Sequence, residues 1–198
     1  MTVTDAMTDI EARCLERSWF YPFVLPSGKN LPSDHHGELD GIHHTRWQML
    51  QAAVNDKFGA NLSGLSAVDL ACHQGWFSTK LAQSGFGKVQ GFDARAGHVA
   101  DARLIASALD LPNVGFEQSD VHALTPENAG LHDLVLCLGL IYHLENPVGA
   151  LRVARSLCTN LCLIETQIAP GQNGWMDYGS HRYVRPIEGS FAIIDETG

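Results

Sequence analysis

Three carboxylates close short apolar runs of this 198-residue chain. Asp69 lies in Ala67-Val68-Asp69-Leu70-Ala71, Asp93 ends Lys88-Val89-Gln90-Gly91-Phe92-Asp93, and Asp120 lies in Gln118-Ser119-Asp120-Val121. Aspartate is a common cap and turn residue, so any one of them alone says little. Their joint placement says more. Asp93 falls 18 residues past Gly75, a spacing at which an acid can accept both hydroxyls of a ribose. Asp120 could accept the exocyclic amine of an adenine, and an acid-lined site suits a cationic ligand. The loop after the first run, Cys72-His73-Gln74-Gly75-Trp76-Phe77-Ser78, has one glycine, with Ala71 and His73 at the neighbouring alternate positions. A dinucleotide cradle wants G-x-G-x-x-G so that backbone can approach a pyrophosphate. A bulky diphosphate is therefore not expected. A nucleoside without phosphates fits, its small carboxylate reaching the next helix N-terminus.

Such residues act together only if the fold gathers strand ends. Residues 67–71, 88–93, 114–117, 133–140 and 161–164 read as five strands, with helices to about residue 84, at 97–109 and at 146–157. Leu134-Val135-Leu136-Cys137-Leu138 is apolar on both faces, as a parallel strand covered by helices on both sides must be. Asn146-Pro147 is a cap followed by proline at the first helical position. This alternation predicts a Rossmann-like, doubly wound α/β sheet, whose ligands sit beyond the carboxyl ends of the strands at the switch in strand order. Upstream, residues 4–19 read as a helix carrying Ile10 and Cys14 on one face. Pro22, Pro26, Gly28 and Pro32 make 20–34 an ordered crossing loop. A second helix is expected from a cap at Ser33 or Asp34 to Gly59, with Leu39, Ile42, Met49, Leu50, Ala53, Val54 and Phe58 on its apolar face. Residues 1–60 are thus expected to form an N-terminal helical extension or lid, and 61–198 the ligand-binding domain.

The segment Val68-Asp69-Leu70-Ala71-Cys72-His73-Gln74-Gly75-Trp76-Phe77-Ser78 resembles motif I of the class I S-adenosylmethionine-dependent methyltransferases. Gly91-Phe92-Asp93, Ser119-Asp120-Val121 and Asp133-Leu134-Val135-Leu136-Cys137-Leu138-Gly139 resemble the motifs that follow, in order, over about residues 64–169. Ala71 and His73 stand in place of the usual motif I glycines. The resemblance implies S-adenosyl-L-methionine as cofactor and a mainly parallel sheet of order 3-2-1-4-5. It implies that Asp69 and Gly75, with Ala71 and His73 in the same turn, hold the methionine end. Asp93 with Ala94 would take the ribose, and Ser119, Asp120 and Val121 the adenine. Leu138 and Gly139 would pass backbone beneath the sulfonium. Trp76, Phe77 and Tyr142 could face that cation, although helix–sheet packing explains Trp76 and Phe77 equally well. The family's sheet has seven strands, whereas only 190–194 reads as a strand after residue 169. Strands 6 and 7 are therefore expected to be missing or incomplete, as in a segment of a longer protein. His35-His36-Gly37-Glu38-Leu39, Thr45-Arg46 and Leu140-Ile141-Tyr142-His143-Leu144 further resemble a subgroup related to tRNA wobble-uridine carboxymethyl and methoxy transferases.

Methyl transfer from a sulfonium is an in-line displacement, served mainly by alignment and exclusion of water. A base is needed only if the acceptor must lose a proton. His143, just after the fourth strand, is the candidate base, with Tyr142 to orient it or the acceptor; a histidine capping the turn before Asn146 is the alternative. Arg46 is a candidate anion clamp over the cofactor carboxylate or an acidic acceptor. His36, Asp40 and His44 fall at i, i+4, i+8, a spacing compatible with metal ligation. No cysteine pair or second carboxylate cluster completes such a site, so no metal is expected, and His35, His36, His43 and His44 read as structural or as part of a lid.

Composition narrows the partners. Thirteen basic against 22 acidic side chains give a formal charge of −9, which speaks against a nucleic-acid face. The longest apolar run, residues 134–142, is far short of the ~20 residues of a membrane span, and the start lacks a secretory pattern. Five cysteines without a CxxC read as reduced thiols of a cytoplasmic protein. A methyltransferase with a small-molecule acceptor is expected first, a tRNA-modifying transferase second, and a non-catalytic nucleoside- or partner-binding module third. A nicotinamide oxidoreductase comes last, for want of phosphate-cradling glycines. Residues 20–60 and the tail around 172–183 read as polar and aromatic cover over the crevice.

Overall fold

Alternate residues of the central strands feed two different cores, and the apolar runs encode that division. The computed structural model describes residues 3–31, 33–167, 175–178 and 181–184, in two compact units, Met1–Glu165 and Thr166–Gly198. The first begins with α1 (Val3–Leu15), the short antiparallel pair β1 (Phe23–Val24) and β2 (Asn30–Leu31), and α2 (Asp40–Phe58). There follow β3 (Ser66–Leu70), α3 (Trp76–Gln83), β4 (Lys88–Asp93), α4 (Ala96–Ala108) and β5 (Val114–Gln118). Then come α5 (Pro126–Ala129), β6 (His132–Leu138), α6 (Pro147–Leu157) and β7 (Cys158–Glu165), with 3-10 turns at Val121–Ala123 and Ile141–His143. Strands β3 to β7 form one sheet ordered β5-β4-β3-β6-β7, every pair parallel. Numbered along the chain, this is the 3-2-1-4-5 order that the sequence implied.

On one face Ala67, Val89, Leu134 and Leu136 pack with Leu50 and Val54 of α2, Trp76, Phe77 and Leu81 of α3, and Ile105 of α4. Val68, Leu70, Phe92, Val135 and Cys137 point the other way, onto Ala150, Ala154 and Leu157 of α6. Each buried Val, Leu, Ile or Phe among them contributes about 1.5–3 kcal/mol, so a one-residue slip of register would forfeit both cores. Helix α6 starts as its sequence indicates: Pro147 opens it, and the Asn146 side chain accepts the Gly149 N–H at 2.9 Å. All five cysteines are free thiols. Among the described residues no helix is long and apolar enough to cross a membrane.

The N-terminal helices depart from expectation. Helix α1 stops at Leu15 rather than at residue 19 because Trp19 turns into the core, its indole N–H donating to the Cys14 carbonyl at 2.8 Å. Helix α2 starts at Asp40, with Leu39 as an N-cap that lacks a side-chain bond, rather than at Ser33 or Asp34. Both expected caps are engaged elsewhere: the Ser33 hydroxyl donates to Asp40 at 3.0 Å, and Asp34 accepts from the Ser18 hydroxyl. His36 and Gly37, at φ +50° and +81°, then break any early helix. The inward face of α2 is His43, Leu50 and Val54, while Ile42 and Met49 are 55% and 70% exposed. In the second unit, β8 (Trp175–Tyr178) and β9 (His181–Val184) pair as an antiparallel hairpin, in a stretch to which the sequence reading assigned no strand. The expected strand at 190–194 lies outside the described residues.

Gly91 shows how tightly β4 is packed. A Cβ there would lie 2.6 Å from Phe116 Cδ1 and 2.9 Å from Cys72 Sγ, and Phe116 is itself enclosed by Val99, Ala102 and Ala106. Gly91→Ala should cost about 1–3 kcal/mol in urea unfolding. Gly97→Ala, whose Cβ meets nothing within 4 Å, should be neutral or gain up to about 1 kcal/mol.

Candidate active site

The turn from Ala71 to Gly75 is left-handed at alternate residues: φ is +56° at Ala71, +52° at His73 and +78° at Gly75. The chain thus follows a glycine-like path with only one glycine, at a cost of roughly 1–2 kcal/mol for each side-chain-bearing residue. Hydrogen bonds hold it there. Cys72 N–H donates to the Phe92 carbonyl at 2.8 Å, Gly75 N–H to the Cys72 carbonyl at 2.8 Å, and His73 N–H to Asp93 Oδ2 at 2.9 Å. Gly75 alone has no room for a side chain, since a Cβ would meet the Phe116 ring at 2.6 Å. Buried Gln74 ties the turn outward: its Oε1 accepts Phe20 N–H at 2.8 Å, and its Nε2 donates to the Ser18 carbonyl at 2.8 Å and to Asp101 at 3.0 Å.

Beyond the carboxyl ends of β3, β4, β5 and β6 lies a cleft of about 480 Å³. Ala71, Ala94, Ser119, Asp120, Val121 and His143 line it, six residues picked out from the sequence, together with Phe92, His122 and Leu140. Asp120 caps the Val121–Ala123 turn. Its Oδ1 accepts the His122 N–H at 2.8 Å, and the His122 ring Nδ1 stands 3.2 Å away. That backbone bond first, and the ring second, hold the Asp120 carboxyl below its usual range. His122 Nε2 sits 3.0 Å from the Asn146 carbonyl, which raises the imidazole pKa. His122 thus meets the cap residue of α6. His143 and Tyr142 share the Ile141–His143 turn, their rings 4.2 Å apart.

Asp69 and Asp93 lie behind the turn instead of on the cleft wall. Asp69 is 3% exposed and accepts the Ser78 hydroxyl at 2.7 Å. Burial pushes its pKa up to about 7, against the opposing pull of the Ser78 bond and of Arg46. Asp93, 6% exposed, accepts His73 N–H at Oδ2 and Arg95 N–H at Oδ1, both at 2.9 Å. Trp76 and Phe77 are buried in the α3–sheet core, with the Tyr21 ring stacked on Trp76 at 5.7 Å between centroids. The structure therefore does not bring them to the cleft.

Another polar group gathers over Gly139. Its φ is +63° and its N–H donates to the Glu165 carbonyl at 3.0 Å. Arg46 Nη2 meets Glu165 Oε2 at 2.8 Å, and the guanidinium lies 4.9 Å from the Phe77 ring centre. A Cβ on Gly139 would be 3.4 Å from the Tyr142 hydroxyl and 3.5 Å from Arg46 Nη2, so Arg46, Tyr142 and Glu165 converge on this backbone beside Leu138. Tyr21 belongs to the same group: burial raises its phenol pKa while the Arg46 charge opposes that shift. His43 lies among Phe20, Tyr21 and Trp76, its pKa lowered to about 4 by burial. Both its ring nitrogens lack hydrogen-bond partners. Among the described residues no group of three or more side chains could hold a metal ion. Gln74 lies within the motif I segment but was given no role from sequence, while Tyr21, His98, His122 and Glu165 belong to no quoted motif.

Residues 61–170 match the model of a methyltransferase domain family. The chain belongs to that family. Among curated proteins it is 27% identical over 124 residues to a ubiquinone biosynthesis O-methyltransferase of Acinetobacter baylyi, covering 63% of this chain and 51% of that protein. It is 32% identical over 100 residues to the protein of the same name from Nitrosospira multiformis, covering 50% and 40%. The chain spans about half the length of the curated relatives it matches. Among solved structures, the N-terminal domain of EvdMO1 with SAH bound superposes with a TM-score of 0.61 at 21% identity, covering 80% of this chain and 63% of that one. Magnesium protoporphyrin IX methyltransferase of Synechocystis with bound SAH gives 0.55 at 23%, covering 77% and 63%. The likeness to both is one of fold.

The raised pKa of Asp69 has a measurable consequence. Its folded value near 7 exceeds the unfolded value near 3.9, so the folded protein holds an extra proton between those limits. That contribution is complete below about pH 4 and lost as pH rises through about 7, on the order of a few kcal/mol. Burial holds His43 and His73 at about 4, which shifts stability in the opposite sense over the same range, so the Asp69 share is read by difference: the urea midpoint of Asp69→Asn minus that of the wild type should rise from pH 4.5 to pH 7.5.

Proposed function

We propose that this domain binds S-adenosyl-L-methionine and directs its methyl group to a hydroxyl of a small-molecule acceptor. The observation that carries the reading is the cleft itself. Ala71, Ala94, Ser119, Asp120 and Val121 meet there from three successive strand ends, in a chain whose family is that of methyltransferase domains. Asp120 would accept the adenine amine, Asp93 the ribose hydroxyls, and Asp69 with the Gly75 turn the methionine ammonium. Arg46 would pair with the carboxylate and Leu138-Gly139 would supply close backbone. The cofactor supplies an electrophilic methyl carbon on a sulfonium. Alignment and exclusion of water then provide most of the rate. His143, on the cleft wall, would take the acceptor's hydroxyl proton, and Tyr142 would orient it. Ala71 and His73 keep the left-handed path that glycines would give, which favours this reading over a non-catalytic nucleoside-binding module.

The hydroxyl acceptor is supported by relatives named as O-methyltransferases. A wobble-uridine substrate rests on the segments 35–39, 45–46 and 140–144 alone, and the formal charge of −9 disfavours a tRNA face. The free thiols suit a reducing compartment, which supports a cytoplasmic location as part of the proposal.

Calorimetry should show binding of S-adenosylmethionine and S-adenosylhomocysteine and none of NAD; NAD binding without the methyl donor would overturn the reading. Asp120→Asn should weaken cofactor binding by roughly tenfold or more, as befits a charged hydrogen bond. With an acceptor found by S-adenosylhomocysteine release from a panel of phenols, catechols, hydroxy acids and tRNA, His143→Ala should slow turnover by about 10²–10⁴. Its cofactor affinity should be unchanged. Unaltered turnover removes His143 from the mechanism, and activity on tRNA alone would replace the small-molecule acceptor.

A further inference from the structure

The acid assigned to the ribose is shut off from the cleft beside it. The cleft wall includes Phe92 and Ala94, on either side of Asp93, but not Asp93 itself, whose side chain is only 8% exposed. Two of the groups at this carboxylate are backbone N–H donors, from His73 and Arg95. The third is the imidazole of His98, from the first turn of α4, with Nδ1 3.3 Å from Asp93 Oδ1. That distance suggests an ion pair, yet the ring is not turned to make a hydrogen bond, and Nδ1 is buried without a partner. The ring lies instead against His73, tilted by 32° with centroids 3.7 Å apart, and His73 Nδ1 is likewise buried and unpartnered.

We propose that His98 is a gate over the ribose-binding carboxylate: its ring occupies the diol's place on Asp93 in the free protein and swings out when the cofactor binds. This rests on the reading of Asp93 as the ribose ligand. The three groups at the carboxylate differ in what moving them would cost. Displacing either backbone donor would unmake the turn or the start of α4. Displacing the His98 ring breaks no hydrogen bond; it gives up the tilted contact with His73 and the 3.3 Å approach to Asp93. It also delivers a buried, unsatisfied nitrogen to water or to ligand, which offsets the loss. The side chain is already 18% exposed, so a rotation about its own bonds has somewhere to go. A closed gate lowers apparent affinity by the fraction of molecules that are open.

The test compares S-adenosylhomocysteine with its 2′,3′-dideoxy analogue by calorimetry. In the wild type the analogue should bind more weakly. His98→Ala should lower the dissociation constant for S-adenosylhomocysteine roughly three- to tenfold and leave that for the analogue nearly unchanged. Equal wild-type affinities for the two compounds would show that Asp93 does not hold the diol, and the gate would fall with that reading. A weaker analogue together with an unchanged His98→Ala constant would leave Asp93 its role and overturn the gate alone. Weaker binding of S-adenosylhomocysteine by His98→Ala would also overturn it, making His98 a holding group. Should the variant not fold, long-range ¹H–¹⁵N spectra of histidine-labelled wild type decide the matter. The His98 ring signals must move away from their positions against His73 on addition of S-adenosylhomocysteine; unmoved signals refute the gate.

Discussion

The left-handed passage from Ala71 to Gly75 is the constraint on which the rest of this structure depends. It reverses the chain between β3 and α3 within a few residues, so that α3 lies back on the sheet and its Trp76 and Phe77 become core. It needs the space left by Gly91 and Gly75, because Phe116 fills the volume that side chains there would take. It also needs an acceptor for the N–H of His73, which Asp93 provides from the neighbouring strand. On the proposed function, one carboxylate would thus serve both as a strut of the turn and as the ribose ligand. Positions that fold and bind through the same atoms leave little freedom for substitution, since stability and affinity are lost together.

Much of this was legible along the chain because it is periodic or local. The parity of Ala67 against Val68, and of Leu134 against Val135, sorts residues between two cores by the pleat alone. Asn146-Pro147 caps its helix through a partner three residues away. The acids are visible because strand ends are visible. The misjudged features all depend on partners distant in sequence. Ser33 and Asp34 look like caps until Asp40 and Ser18 engage them. Ile42 and Met49 look inward until His43 is found against Phe20, Tyr21 and Trp76. Arg46 reads as a clamp for a ligand's anion, whereas the carboxylate it meets in the fold is Glu165, 119 residues away and beyond the reach of any local pattern. Nor does composition tell a carboxylate on a wall, as Asp120, from one sealed behind it, as Asp69.

The histidines illustrate how a compositional oddity resolves into separate physical roles. His122 bridges two turns through Asp120 and the Asn146 carbonyl, while His43 and His73 are held neutral by burial near the N-terminal aromatic residues. Of these three only His43 belonged to the group that spacing suggested, with His35, His36 and His44. Their environments divide the three among capping, packing and the cleft wall, and the same side chain is charged or neutral according to the water it retains.

Gln74 reaches Phe20 and Ser18 across 54 and 56 residues and Asp101 across 27. Closing contacts of that span costs chain entropy before any bond repays it. The turn and the segment around residue 20 therefore gain their order in one step and should surrender it in one step. In amide exchange they would behave as a single opening unit, so a nucleoside that settles on the turn also protects a stretch of chain it never touches.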